Sequence, residues 1–223
     1  MPKILALIKR LPTLDRDAFR EHYEGRHVVV AKPLLSHLVA YARHHIEAEL
    51  VGRAEFDVVT AFAYRDRAAV EAMFAMLASD AAAPILEDER RFMDKPGNRF
   101  FEVSERPWIP QEGRPALPGS EREEERSIFV FVARPNEVSR AEFARRLLRD
   151  HWPALLGDGA GLRYAIARDA FPMGGNPPPW DGSMQLPVMP ELDLSGFAAG
   201  LEAEGHRVLA IRTRRFVTPL PPA

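Results

Sequence analysis

The 223-residue chain contains no cysteine, which excludes a disulfide framework, a thiolate nucleophile and iron–sulfur ligation. An excess of positive charge is missing as well. Lys and Arg number 30 against 32 Asp and Glu, so the basic surface that phosphate backbones require is absent and nucleic acid is not an expected partner. Long apolar runs are also lacking. The N-terminal run from Ile4 to Ile8 meets Lys9 and Arg10 at once; it is too short for a signal segment or a membrane span and reads as a strand. The one glycine-rich stretch, residues 173–179, lacks the lysine of a phosphate loop and reads as a hairpin loop. No nucleophile elbow or dinucleotide fingerprint occurs. What remains is a soluble, globular composition with a cytoplasmic location and no membrane partner expected.

One segment interrupts the globular pattern. Residues 105–126 carry Pro107, Pro110, Gly113, Pro115, Pro118 and Gly119, then a charged run up to Arg126. Such a stretch reads as a linker, and its central position prompts a search for an internal repeat. A shift of 124 residues brings Ile4 onto Ile128, Arg10 onto Arg134, Arg16 onto Arg140, Phe19 onto Phe143 and His27 onto His151. The same shift carries Phe56-Asp57 onto Trp180-Asp181. The expected organisation is therefore a domain at 1–105, a linker at 106–126 and a second domain at 127–223.

Each half reads as strand, helix, strand, strand, helix, strand. The first strand, residues 3–9, is apolar on both faces and so needs cover on both sides. Asp15 and Ser139 are good helix N-caps, and Ser139 with Glu142 forms a capping box. Leu14 and Phe19 make a hydrophobic staple, repeated as Val138 and Phe143. Residues 56–64 alternate as a strand does. Val70, Met73, Phe74 and Leu77 recur at helical spacing, and a further turn is expected from Pro84 to Phe92. The second half has a shorter second helix, about residues 194–204. The fold class expected is α+β: two ferredoxin-like βαββαβ repeats whose helices cover one sheet face. Each bare sheet face needs burial, so the repeats are expected to form an intramolecular dimeric α/β-barrel.

The phrase Phe19-Arg-Glu-His22-Tyr23-Glu-Gly-Arg-His27, with Phe56-Asp57 on the later strand, resembles the EthD family of the dimeric α/β-barrel superfamily. There a helix ends in F-x-x-H-W/Y-x-x-x-H and a strand begins with F-D-G. The second half keeps Phe143, His151 and Trp180-Asp181-Gly182 but has Arg146 and Leu147 in place of the first histidine and the aromatic. The resemblance implies the barrel fold. It also implies a range of small-molecule chemistry that includes polyketide cyclases, lactone isomerases, decarboxylases, monooxygenases and some haem enzymes, and fold alone does not choose among them.

The candidate catalytic residues are His27, His22, Tyr23 and Tyr41. On a helical wheel at about 100° per residue, His22 and His27 flank the apolar stripe that contains Phe19 and Tyr23. Imidazole is suited to proton transfer near neutral pH. A bland alternative stands beside this: His27 and His151 at a helix end would interact with the helix dipole and bond the last carbonyls. Phe62, Tyr64, His151 and Tyr164 are candidate substrate-binding residues, with Tyr41 and Tyr164 at comparable places on the second strands. Asp57 and Asp181 suggest a structural clamp to backbone or arginine. Adjacent His44 and His45 on a strand point to opposite faces, so they do not form a metal pair, and no metal or cofactor is expected. The function expected is a cofactor-independent lyase, isomerase or cyclase acting on an aromatic or polyketide-like compound, with a non-catalytic binding protein as the rival. The partner is a small-molecule substrate, in a monomeric pseudo-dimer or a further homodimer.

Overall fold

The computed structural model describes residues 1–108, 126–157, 162 and 164–220. Most of the stretch expected as a linker, residues 109–125, lies outside the described residues. By its internal contacts the chain divides into two units. The first comprises Met1–His45, Glu55–Glu102 and Phe216–Ala223, and the second comprises Ile46–Ala54 and Val103–Arg215.

In the first unit, β1 (Lys3–Ile8) leads to α1 (Arg16–His22). Asp15 caps α1 by accepting a hydrogen bond from the Ala18 amide at 2.7 Å, and Leu14 packs with buried Phe19 as a staple does. A π-helical turn, Tyr23–His27, continues directly into α2 (Val28–Val30) and α3 (Lys32–Leu35). There follow β2 (Leu38–Val51), β3 (Val58–Tyr64), α4 (Arg67–Leu77), α5 (Ala83–Glu89) and β4 (Arg99–Trp108). Asp66 caps α4 through the Ala69 amide, and Val70 and Met73 are its buried face. The sheet order is β4-β1-β3-β2, with both partners of β1 antiparallel to it.

The second unit repeats the plan: β5 (Arg126–Ala133), α6 (Arg140–Arg146), a π-turn at Leu147–His151, α7 (Trp152–Leu156), β6 (Ala165–Phe171), β7 (Gly182–Pro187), α8 (Leu194–Ala203) and β8 (Arg207–Val217). Its order is β8-β5-β7-β6, the first unit's order at corresponding strands. The registers also coincide under the shift of 124. Lys3 faces Ala63 and Ile8 faces Val58; Ser127 faces Pro187 and Val132 faces Gly182. Both units are thus ferredoxin-like βαββαβ folds of the α+β class. Every residue of β1 but the first is buried, and every residue of β5 but the first, as strands apolar on both faces require. Among the described residues no single helix is long and apolar enough to cross a membrane.

The aspartates that recur before β3 and β7 are clamps in both units. Asp57 accepts from the Arg10 amide and Nε, both at 3.0 Å, and from Arg16 Nε at 3.3 Å. Asp181 accepts from the Arg134 amide at 3.0 Å and Nε at 3.3 Å, and pairs with Arg140 at 3.4 Å.

Candidate active site

The π-turn is the local feature on which the first unit's site is built. The Val28 amide bonds back to the Tyr23 carbonyl, five residues earlier, and in the second unit the Trp152 amide bonds to Leu147 in the same way. Such an inserted residue widens one helical turn and is a recurrent feature of functional sites. Two sequence expectations are corrected here. His27 is not the last helical residue, because α2 follows without a break, and its ring meets a carboxylate in place of the last carbonyls. On an α-helical wheel His22 and His27 are about 140° apart; the wider π-turn brings them to one side, and both reach the same carboxylate.

That carboxylate is Asp88 of α5. Its Oδ2 lies 3.1 Å from His27 Nδ1, while its Oδ1 lies 3.1 Å from His22 Nε2 and accepts from Arg26 Nε at 2.8 Å. Asp88 is only 3% exposed. Burial alone would raise its pKa, but hydrogen bonds from His27, His22 and Arg26 outweigh this and hold it below the ordinary carboxylate range. His27 is also buried, and burial pushes its pKa below the ordinary histidine value despite the opposing pull of Asp88. The result is a neutral imidazole beside an ionised carboxylate at neutral pH.

His27 faces a cavity of about 270 Å³ between the helix-covered face of the first unit's sheet and its helices. The walls are mainly apolar: Ile4 and Ile8 of β1, Phe62 and Tyr64 of β3, Leu34, Leu35, Met73 and Met93. Phe74 and Phe100 also line it and are partly exposed, at 40% and 45%. The polar groups at its wall are Tyr23, His27, Tyr41, Glu89, Lys95 and Asn98. Tyr23 Oη is 3.1 Å from Thr60 Oγ1. Burial above all raises the pKa of Tyr23, and that of Tyr41 much further, so both phenols keep their protons and can donate a hydrogen bond.

Behind the tyrosines lies a second ionic cluster. Glu24, also in the π-turn, accepts from Arg43 Nη2 at 2.7 Å and pairs with His45 Nε2 at 2.7 Å. Arg43 lies over the Tyr41 ring at 4.4 Å and donates to Thr218 at 2.8 Å. Burial lowers the His45 pKa. These contacts hold the π-turn against β2.

The structure therefore brings His27, Tyr23, Tyr41, Phe62 and Tyr64 to one cavity. His22 is one step back, on Asp88 and stacked on Phe92 at 4.5 Å. His151 and Tyr164 are in the second unit and do not line this cavity. Tyr164 is not the counterpart of Tyr41. Ala42 faces Ala61 where Ile166 faces Gln185, so the shift of 124 puts Ala165 at the Tyr41 position. One residue's offset turns a side chain to the other sheet face. Tyr164 there meets Ser127 Oγ at 2.9 Å, within a buried network that runs through Gln185 to Arg168. Sequence reasoning missed Asp88, Glu24 and Arg43. Asp88 lies in the run Glu87-Asp88-Glu89, which suggests a solvated face, yet it shares the spacing of buried Ile85 and Phe92. An acid on an apolar stripe was the available signal.

Residues 11–96 match the EthD domain family model, a span that includes both histidines, both tyrosines and Asp88. No curated protein matches the chain. Among solved structures it is similar to an anthrone oxidase-like protein, with a TM-score of 0.58 at 11% identity over 97% of this chain and 92% of that one. It is also similar to a candidate chlorite dismutase, with a TM-score of 0.47 at 10% identity over 96% and 95% of the two chains. At that identity the first of them supports the fold alone.

Proposed function

We propose that the first unit is an enzyme that moves a proton on a small aromatic or polyketide-like compound, in a lyase, isomerase or cyclase type of reaction that needs no cofactor. The observation that carries this reading is the His27–Asp88 pair at 3.1 Å beside a mainly apolar cavity. With Nδ1 held by Asp88, the His27 Nε2 atom is the one available to a ligand. A C–H next to a carbonyl gives its proton to Nε2, and the electron pair of that bond moves onto the carbonyl oxygen. Tyr41 or Tyr23 donates a hydrogen bond to the resulting enolate, and Asp88 stabilises the imidazolium. The cavity lies just below the roughly 300–1,000 Å³ of drug-sized sites, which suits a small, flat molecule. The likeness to an anthrone oxidase-like protein is consistent with an aromatic ketone as the substrate type.

We also read the second unit as a diverged EthD copy, although the family model matches only residues 11–96. The shared strand register, π-turn bond and aspartate clamp support this.

A second reading, binding without turnover, draws on the predominance of apolar side chains in the wall. Exchange in D2O separates the two. A panel of aromatic ketones is incubated with the protein, with binding followed by NMR shifts and loss of the proton α to the carbonyl followed by integration. Catalysed exchange that disappears in His27→Gln supports the enzyme. Saturable binding with exchange no faster than buffer supports the binding protein and sinks the enzymatic reading.

A further inference from the structure

The second unit holds a cluster that the proposed proton-transfer site does not use. His151 closes the π-turn that follows α6. His206 sits between α8 and β8, and Glu204 is the C-cap of α8. One ligand atom from each of the three lies within 4.8 Å of the other two.

The backbone fixes this meeting. The His206 amide bonds to the Leu201 carbonyl and the Gly205 amide to Glu202, a Schellman ending in which Gly205 takes the left-handed conformation at φ 84°. Pro135 packs over Gly205, with its ring 3.7 Å from where a Cβ would stand. Glu204 and His206 therefore leave the helix at a defined angle, two residues apart on either side of a glycine. Phe143 supports the His206 ring at 5.2 Å between centroids, and the His151 ring lies 5.8 Å away.

Two polar atoms here need an explanation. Among the described residues, His151 Nε2 and His206 Nδ1 are buried without a hydrogen-bond partner. Buried polar atoms are nearly always satisfied, and an orphan calls for an unseen ligand. His206 is itself only 4% exposed. Glu204 is half exposed, so it can swing and leaves one side open to water. The neighbouring cation, Arg146, is engaged by Glu142 at 2.8 Å.

We propose that His151, His206 and Glu204 bind a divalent transition-metal ion of the zinc class, with water completing the coordination. Two imidazoles and one carboxylate are a donor set that zinc favours in sites with an open fourth position. A tetrahedron with bonds of about 2.0–2.1 Å has edges of about 3.4 Å, and rotation of the mobile Glu204 side chain closes the remaining gap.

The test uses the untagged full chain, stripped with a chelator and titrated with Co(II), then with Zn(II). One equivalent of Co(II) should give the intense visible bands of a four-coordinate site, and Zn(II) should displace it. His206→Phe should weaken binding by about 100-fold or more, the scale set by losing a ligand rather than a supporting contact. That variant copies the first unit, where Phe92 packs on Phe19 and His27, so its fold should hold, and circular dichroism checks this. Glu204→Gln, at an exposed position, should bind Co(II) more weakly with an altered spectrum. Absence of saturable binding, unchanged affinity in His206→Phe, or an unaltered Co(II) spectrum in Glu204→Gln would overturn the site.

Discussion

His27 Nδ1 and Asp88 Oδ2 stand 3.1 Å apart although 61 residues separate them in sequence. The approach depends on both partners' local structure. The π-turn carries His27 around the helix, and α5 presents Asp88 on the same stripe as buried Ile85. In the second unit His151 keeps the π-turn, but no helix equivalent to α5 is found among the described residues. His206 packs there against Phe143 and His151, much as Phe92 packs against Phe19 and His27. The same histidine therefore has a carboxylate partner in one unit and an imidazole neighbour in the other, a physical basis for assigning different roles to the two.

His27→Gln should remove most turnover, by about 10²–10⁴-fold, because an amide cannot act as the base. Asp88 keeps His22 and Arg26 after the change, so stability should fall by only about 1–2 kcal/mol. Steady-state kinetics and urea denaturation on the same preparation check the pair of expectations. Full activity in a destabilised variant would remove His27 from the mechanism.

Asp88 is a positioning residue that acts through His27. Asp88→Asn should lower kcat by about 10²–10⁴-fold, the range seen when a base loses its orienting carboxylate. The pH profile distinguishes this from a merely structural loss. Asp88 pulls the His27 pKa upward against burial, so without its charge the rising limb of kcat/KM should move to lower pH. A limb that stays in place would assign Asp88 to the fold alone.

Much of this architecture is legible in the sequence because its signals are local. Asp15 and Ser139 cap their helices as their positions suggest, and the repeat at 124 residues predicts the register of the sheets. The π-turn is not legible, since one inserted residue changes a backbone bond from four residues to five without changing side-chain composition. Asp88 is hidden between two further acids, of which Glu87 is exposed and Glu89 partly so. His206 has no motif around it; its place follows from Gly205 and the helix ending, which only the three-dimensional structure brings against His151.

Asp57 and Asp181 should behave alike, because each joins the backbone amide and side chain of one arginine to a second arginine. Replacing either with alanine leaves a partly buried amide and two partly exposed guanidinium groups short of an acceptor, at a cost of about 1–3 kcal/mol. Asp57→Ala should leave the position of the pH limb unchanged, since it touches neither His27 nor Asp88. Chemical denaturation of the two variants side by side checks the equivalence; a loss in one unit with no effect in the other would break it.

Acid should destabilise the protein in two stages. Burial first of all holds the pKa of His27, His45 and His206 below the ordinary value, which is about 6.5. As pH falls below about 6.5 the unfolded chain takes up protons that these folded histidines refuse, so their contribution is complete above that pH and is lost beneath it. Each such proton makes stability fall by at most about 1.4 kcal/mol per pH unit. Asp88 and Glu24 follow at lower pH. Burial opposes their ionised forms, but the hydrogen bonds from their histidine and arginine partners win and hold both below the ordinary carboxylate range. Their contribution is present above about pH 4 and disappears as pH drops through their folded values. Urea midpoints measured from pH 8 to pH 3 should show a plateau, a decline that begins near pH 6.5 and a steeper one below pH 4. In His45→Gln the first decline should be shallower, with one titrating group removed. A midpoint unchanged from pH 8 to pH 5 would mean that these histidines are not held neutral in the folded protein, and the general-base role of His27 would fall with it.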